Sequence, residues 1–494
     1  MKFSLLLAGA FALTANGSPV SVPALDKQDY APVKKAFNFQ RGLPSTIKSK
    51  HLRPHLERRS GEYQEKPIGS SQAPDVTVPG YASGDLAKGE PINDDTKKGA
   101  TLLGGTNSII DIQNPSNLGQ ESTDTGVVPN LKWRFSDSKT ALFNGGWARE
   151  QVITDLPASV DISSAQQHLK KGAYRELHWH RVVSFEMSTA LERKGCSADS
   201  ACLLAFEQSE WAFVYAGRVA ISAVNEFGQN QYEILEVGDI WFFPKGVAHG
   251  VQGLDDENEF LLAFDDGDFE ATGVTFNVDD WIAHTPKHIL AKNFGVDVSV
   301  FQNTPKTNPK ILQGIAPPDS TKADHPFGDL TETKLTYVIR SKDVPPTIVP
   351  GGGGSIQIFD SRNFPIATTI ASSVVRIKPG GLRELHWHPN ADEWVFFAQG
   401  QARATVFLGG STARTFDFTA GDTAVFPSNS GHYVENTSPT EELIWIELYK
   451  ADRVADISLT QWLALTPKEV VAQALNVSTE FVETLKQEKQ VIVA

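Results

Sequence analysis

Short runs rich in Val, Ile and aromatic residues, broken by Gly, Asp, Asn and Pro, fill the chain from about Trp133 to Phe264. Runs of this length and punctuation predict strands of an antiparallel sandwich or barrel. The pattern returns in the second half. Trp211 to Ile221 and Trp394 to Phe407 predict equivalent hairpins, each followed by a Gly-Asp turn, Gly238-Asp239 and Gly421-Asp422, leading into a strand that bears a histidine. Each half then closes on a helical pattern, Trp281 to Leu290 and Trp462 to Val471, with Pro286 and Pro467 in the first turn and the preceding threonine as cap. The expectation is an all-β chain of two tandem units, residues 130–300 and 333–494, each with short C-terminal helices. A linker rich in Pro, Lys, Asn and Asp, residues 301–332, joins them. From Ser18 to Leu103 no periodicity holds, and Pro, Ser, Gly and charge dominate, which predicts a flexible arm or propeptide over 18–103.

The halves share more than a pattern. Arg175-Glu176-Leu177-His178-Trp179-His180 recurs residue for residue as Arg383-Glu384-Leu385-His386-Trp387-His388. Internal repetition of this kind makes two copies of one site the first hypothesis. Residues two apart on a strand face the same way, so both histidines of each His-x-His reach one ion. Glu393 lies 39 residues before His432, and Glu210 lies 39 before His249. Gly172 and Gly380 each stand six residues before the first histidine. The candidate ligand sets are therefore His178, His180, Glu210 and His249, and His386, His388, Glu393 and His432. Three imidazoles and a carboxylate suit a divalent first-row metal with open positions, and the carboxylate moves the preference toward Mn or Fe. His284 and His288, i and i+4 on the predicted helix of one half only, read as structural or exposed.

One spacing differs. His388 precedes Glu393 by 5 residues, whereas His180 precedes Glu210 by 30. Removing about 182–207 leaves a gap of 4, close to the other copy, and that block holds both cysteines, Cys196 and Cys202, and Met187. It reads as an intron translated as coding sequence; the alternative is a genuine surface loop closed by a Cys196–Cys202 disulfide. Met1 to Gly17 read as a secretory signal, Lys2 followed by an apolar run and then small residues, which predicts export. Asn436-Thr-Ser438 and Asn476-Val-Ser478 are sequons in that context, the first disfavoured by Pro439. A net charge of -14 argues against nucleic acid or an anionic membrane as partner. It also requires that an anionic substrate be met by local positive charge.

Gly-x5-His-x-His followed by Glu, then Pro244-Lys-Gly-Val-Ala-His249 or Pro427-Ser-Asn-Ser-Gly-His432, resembles the two signatures of the cupin family. Two copies carrying Arg-Glu-Leu-His-Trp-His resemble the secreted bicupin oxalate decarboxylases, from about Trp133 to the C-terminus. The resemblance implies two cupin (double-stranded β-helix, jelly-roll) barrels, two Mn per chain, dioxygen as co-catalyst, and a homo-oligomer, trimer or hexamer. It implies that Arg175 and Arg383 grip the carboxylates of oxalate. Their parity opposes the histidines on a regular strand, so a local bend is required. Oxalate is a dianion whose C–C bond resists heterolysis; after one-electron oxidation CO2 leaves readily, and what remains must be re-reduced and protonated to formate. The family therefore needs an acid on a mobile lid near the first metal. The lid of decarboxylases typically reads Phe-Ser-Glu-Asn/Asp-Ser-Thr-Phe; here it is Phe269-Glu270-Ala271-Thr272-Gly273-Val274-Thr275-Phe276, one residue longer with its glutamate first. Glu270 is the candidate acid, and Glu447 matches a family glutamate near the second metal. The rivals are an oxalate oxidase, yielding two CO2 and H2O2, and a non-catalytic storage or binding bicupin.

Overall fold

The structure, a computed structural model, describes residues 123–181, 208–304, 309–317, 326–349 and 352–494. The expected leader, the arm over 18–103 and the block 182–207 lie outside them. Nine strands carry the first half: β1 (Gly146–Gln151), β2 (Ser163–Lys170), β3 (Tyr174–His180), β4 (Glu210–Ala216), β5 (Val219–Val224), β6 (Asn230–Leu235), β7 (Ile240–Phe243), β8 (Ala248–Gly253) and β9 (Glu257–Phe264). Nine more carry the second: β10 (Gly354–Phe359), β11 (Ala371–Ile377), β12 (Leu382–Trp387), β13 (Glu393–Gln399), β14 (Gln401–Gly409), β15 (Thr412–Thr419), β16 (Asp422–Phe426), β17 (Gly431–Asn436) and β18 (Leu443–Tyr449).

Each half is a barrel of two antiparallel sheets. In the first, β7-β4-β9-β2-β1 face β3-β8-β5-β6; in the second, β16-β13-β18-β11-β10 face β15-β14-β17-β12. The alternation of the strands puts Val214, Ile221, Trp241 and Phe260 into one core and Val395, Val406, Phe416 and Trp445 into the other.

The expected hairpins are not hairpins. β4 and β5 lie in opposite sheets, as do β13 and β14, and the one or two residues between them turn a corner of the barrel. Gly217 and Gly400 sit at these corners with φ of 67° and 86°. A Cβ on Gly217 would stand 2.2 Å from the Glu257 carbonyl oxygen, so the corner is glycine-only. Hydrophobic periodicity reports that a strand has a buried face, not which sheet it joins. The paired hairpins are instead β5–β6 and β14–β15. The Gly-Asp turns likewise lead into β7 and β16, which end before His249 and His432; these sit one strand later, in the facing sheet.

The closing helix of each half is broken. Val278–Ala283 (α1) and Lys287–Phe294 (α2) flank His284-Thr285-Pro286, and Leu459–Ala464 (α3) and Lys468–Leu475 (α4) flank the matching Leu465-Thr466-Pro467; Thr479–Glu483 (α5) follows. Proline offers no N–H to the preceding turn, so the chain stops and restarts. The Thr285 hydroxyl does not cap α2; it donates back to the Trp281 carbonyl at 2.8 Å. His284 and His288 therefore belong to different segments, and both are exposed. The Asn436 amide is buried and donates to the Ile377 and Glu441 carbonyls, each at 2.9 Å, whereas Asn476 is exposed at the α4–α5 turn.

The barrels trade edges. Lys132–Arg134, which precede the first barrel, add a strand to β16 of the second. Val338–Ile339, which precede the second, add a strand to β7 of the first. Within the expected linker, Ile311–Leu312 pair with β3; their counterpart Ile492–Val493 pairs with β12.

Candidate metal centres

Both predicted ligand sets converge. His178 and His180 on β3, His249 on the neighbouring β8 and Glu210 at the start of the facing β4 place four donor atoms within 4.8 Å of one another. His386, His388, Glu393 and His432 repeat this in the second barrel. All eight are buried. Pairing brings the histidines together: His249 stands opposite His178, and His432 opposite His386.

The hydrogen bonds pre-orient these rings as ligands. Nδ1 of His178, His249, His386 and His432 meets the carbonyl of Glu176, Val247, Glu384 and Ser430 at 2.6, 2.8, 2.6 and 2.9 Å. Nδ1 of His388 meets the Ala455 carbonyl at 2.8 Å, and that of His180 the Thr275 hydroxyl at 3.2 Å. A proton held at Nδ1 leaves the Nε2 lone pair for an ion. In the first barrel Nε2 of His180, His249 and His178 lies 3.1, 3.3 and 3.8 Å from Glu210 Oε2. In the second, Nε2 of His386 is buried with no hydrogen-bond partner among the described residues. That orphan is what a cation between the rings would satisfy. Burial, with the neighbouring rings and arginine, holds His178 and His386 well below the ordinary imidazole range, so they are neutral donors. Glu210 is buried, which disfavours charge, yet His249 and its other ring neighbours keep it ionised.

The bend required at the arginines is present. On β3, Arg175 pairs with Val251 while His178 pairs with His249, three steps against two; Arg383 and His386 repeat this against Val434 and His432. This bulge turns the arginines toward the histidine side. Their surroundings then differ. Arg383 is 1% exposed and ion-paired with Asp456 at 2.6 Å, which Lys489 also pairs. Thr275 occupies the equivalent position in the first barrel, opposite His180. Arg175, with 13% of its side chain exposed, donates to Glu176 Oε1 at 3.0 Å and the Lys310 carbonyl at 3.1 Å.

The walls behind the glutamates differ too. Glu447 is buried and accepts from Ser373, from Trp445 Nε1 at 2.9 Å and from the Tyr449 hydroxyl at 2.9 Å. The Tyr449 oxygen lies 3.4 Å from His388 Nε2. Burial, then the Glu393 charge, pushes the Glu447 carboxyl up. At the matching places of the first barrel stand Leu262 and Phe264, and Glu210 Oε1 instead accepts from Trp241 at 2.9 Å.

On the predicted lid, Phe269 is buried and stacks on Phe264 at 4.2 Å between ring centroids. Glu270 is exposed and accepts from Lys310 Nζ at 3.0 Å. Its other partner is Glu150 on β1, which sequence reading passed over. The signal available was an adjacent Arg-Glu pair at the start of a strand, Gly-Gly-Trp-Ala-Arg-Glu. Burial, then the hydrogen bond and charge of Glu270, pushes Glu150 up to about 8. Burial disfavours charge on Glu270 as well, but the Glu150 hydrogen bond and the Lys310 ammonium hold it below the usual carboxylate range.

The sequence profile of the Cupin family matches residues 198–302 and 341–483. The first match opens downstream of His178 and His180, beyond the point where the spacing breaks. Two jelly-roll barrels, each with a three-histidine, one-carboxylate set, define a bicupin. A probable oxalate decarboxylase of Arthroderma benhamiae is 54% identical over 421 residues, 85% of this chain and 96% of that protein. The oxalate decarboxylase of Bacillus subtilis is 39% identical over 404 residues, 82% and 96% of the two chains. A solved structure of the B. subtilis enzyme at pH 4.6 superposes with a TM-score of 0.72 at 38% identity, over 82% of this chain and 97% of the other. Another study of that enzyme concerns its Mn(II) centres. The chain belongs to the bicupin oxalate decarboxylase family.

Proposed function

We propose that the chain decarboxylates oxalate to formate and CO2 at the first centre, with Mn in both ligand sets and dioxygen as co-catalyst. Bound Mn and dioxygen supply the one-electron chemistry that loosens the C–C bond. The observation that carries the assignment is the contrast between the arginines: Arg383 is sealed and ion-paired with Asp456, whereas the first barrel has Thr275 at the matching place, bonded to His180, and the part-exposed Arg175 meets the carboxylate of its own neighbour, Glu176. A dianion therefore gains most at Arg175, whose planar donors match a carboxylate. Arg175 binds and orients oxalate, and Glu270 on the lid carries the proton that turns decarboxylation into formate release. Arg383 serves the second centre, and Glu447 with Tyr449 handles its protons. The residues around each centre fit the ion: preset Nε2 lone pairs, an ionised glutamate and one orphaned ring nitrogen.

The test is product analysis on Mn-loaded protein. Formate in near-equal amount to oxalate consumed is expected, and Glu270→Gln is expected to abolish it while leaving two Mn per chain. Peroxide as the main product of the unaltered protein would make it an oxidase; undiminished formate from Glu270→Gln would remove Glu270 from the role.

The N-terminal 17 residues support a secreted protein, and the exposed Asn476 sequon fits that route. Exposed aromatic faces at Trp281 and Trp462, which pack edge-on against Trp179 and Trp387, support a homo-oligomer. We take 182–207 as an untranslated segment of the gene; a spliced message that still encodes Phe185 to Phe206 would overturn this.

A further inference from the structure

Where the inter-barrel segment meets β3, one residue touches both groups assigned to the first centre. The Lys310 carbonyl accepts from the Arg175 guanidinium and from the Glu176 N–H, each at 3.1 Å. The Lys310 ammonium binds Glu270 at 3.0 Å. Its backbone is strained into this place. Lys310 has φ of 54°, and the Ile311 N–H reaches the Pro309 carbonyl at 2.6 Å, a γ-turn of the rare left-handed kind.

The second barrel repeats the turn. Val491 has φ of 59°, with Ile492 N–H on the Gln490 carbonyl at 2.6 Å. Its carbonyl accepts from Arg383 at 3.2 Å and from the Glu384 N–H at 3.0 Å. A β-branched residue at positive φ is a genuine outlier, so the fold over-determines this turn in both barrels. The carbonyl that fixes an arginine is therefore common to the two halves. The ammonium is not, because valine stands at its place in the second. An ordinary exposed ion pair would carry little. This one differs because its lysine is held by a turn that also holds Arg175.

We propose that Lys310 is a positioning residue for the first centre, setting the Glu270 carboxylate at a fixed place relative to the Arg175 guanidinium. Glu150 holds the other side of Glu270, and the charged groups around the pair are Lys310, Arg175 and Asp268. With Glu150 pushed up to about 8, the Glu150–Glu270 pair keeps one proton at neutral pH, and above that value two carboxylates repel. The Glu150 hydrogen bond, then Lys310, holds Glu270 ionised and in place while Glu150 keeps the proton of the pair, which passes to the product through Glu270.

The inference rests on Glu270 as the proton carrier, and the experiment separates the two. Lys310→Val copies the residue the second barrel tolerates at this turn, so the fold and two Mn per chain are expected to persist. Formate kcat is expected to fall by about tenfold, the scale of a catalytic group moved by a fraction of its length, with KM for oxalate nearly unchanged. The ionisation of Glu270 is expected to move to higher pH, because one of the groups that depress it, after the Glu150 hydrogen bond, is gone, and Lys310→Arg is expected to restore most of the rate. Unchanged kcat and pH profile in Lys310→Val, while Glu270→Gln is inactive, would overturn the positioning role. Full activity of Glu270→Gln would overturn the proton-carrier reading, which is a different outcome.

Discussion

The two barrels start from the same hexapeptide and end with the same four donors, yet they are different electrostatic devices. In the second, the arginine is sealed, paired with Asp456 and backed by Glu447, Tyr449 and Trp445. In the first, Thr275, Leu262 and Phe264 take the places of Asp456, Glu447 and Tyr449. The first centre thus has an arginine without a fixed carboxylate partner across the sheet and an apolar wall, and it faces a loop bearing Glu270. The second has its charges balanced internally before any substrate arrives. Duplication supplied one cage twice; a few substitutions one residue further out decided what each cage can do.

The sharpest way to break this comparison is to empty one cage at a time. His178→Ala is expected to remove one Mn per chain and abolish formate production. His386→Ala is expected to remove the other Mn and leave a substantial part of turnover. Metal analysis beside a formate assay checks both, and equal loss from the two variants would end the assignment of chemistry to the first barrel. A finer test moves the carboxylate across. Thr275→Asp should pair with Arg175 as Asp456 does with Arg383 and raise KM for oxalate by about tenfold, equivalent to about 1.4 kcal/mol. The reverse change, Asp456→Thr, leaves a buried arginine short of its partner and should cost about 3–5 kcal/mol of stability, read by thermal or denaturant unfolding. The smallest effect is expected of Glu447→Gln. It weakens a buried hydrogen-bond cluster, at about 1–3 kcal/mol, and leaves formate kcat within a small factor.

The ligands were legible because repetition and spacing constrain them. The His-x-His alternation, the matched gap to the last histidine and the need for a carboxylate leave few other arrangements. The bend at Arg175 and Arg383 was legible too, as a parity conflict that only a bulge resolves. What stayed hidden depends on chain segments far apart in sequence. Nothing local distinguishes a strand that turns back on its neighbour from one that crosses to the other sheet, so Trp211 to Ile221 passed for a hairpin. Lys310 sat in a stretch whose composition reads as linker, and its left-handed turn has no glycine or asparagine to announce it. Glu150 and Thr275 matter only through partners that other strands bring near.

The exchanged edge strands carry a consequence of their own. Lys132–Arg134 complete a sheet in the half that follows them by more than two hundred residues, and Val338–Ile339 complete one in the half already made. Cutting the gene between the halves would leave each fragment with a naked β7 or β16 margin, open to pairing with any stray strand. The halves are therefore co-dependent at assembly: a nascent first half must wait for its successor before its last seam closes. Dissection of the two centres belongs to point variants in the intact chain, not to separated modules.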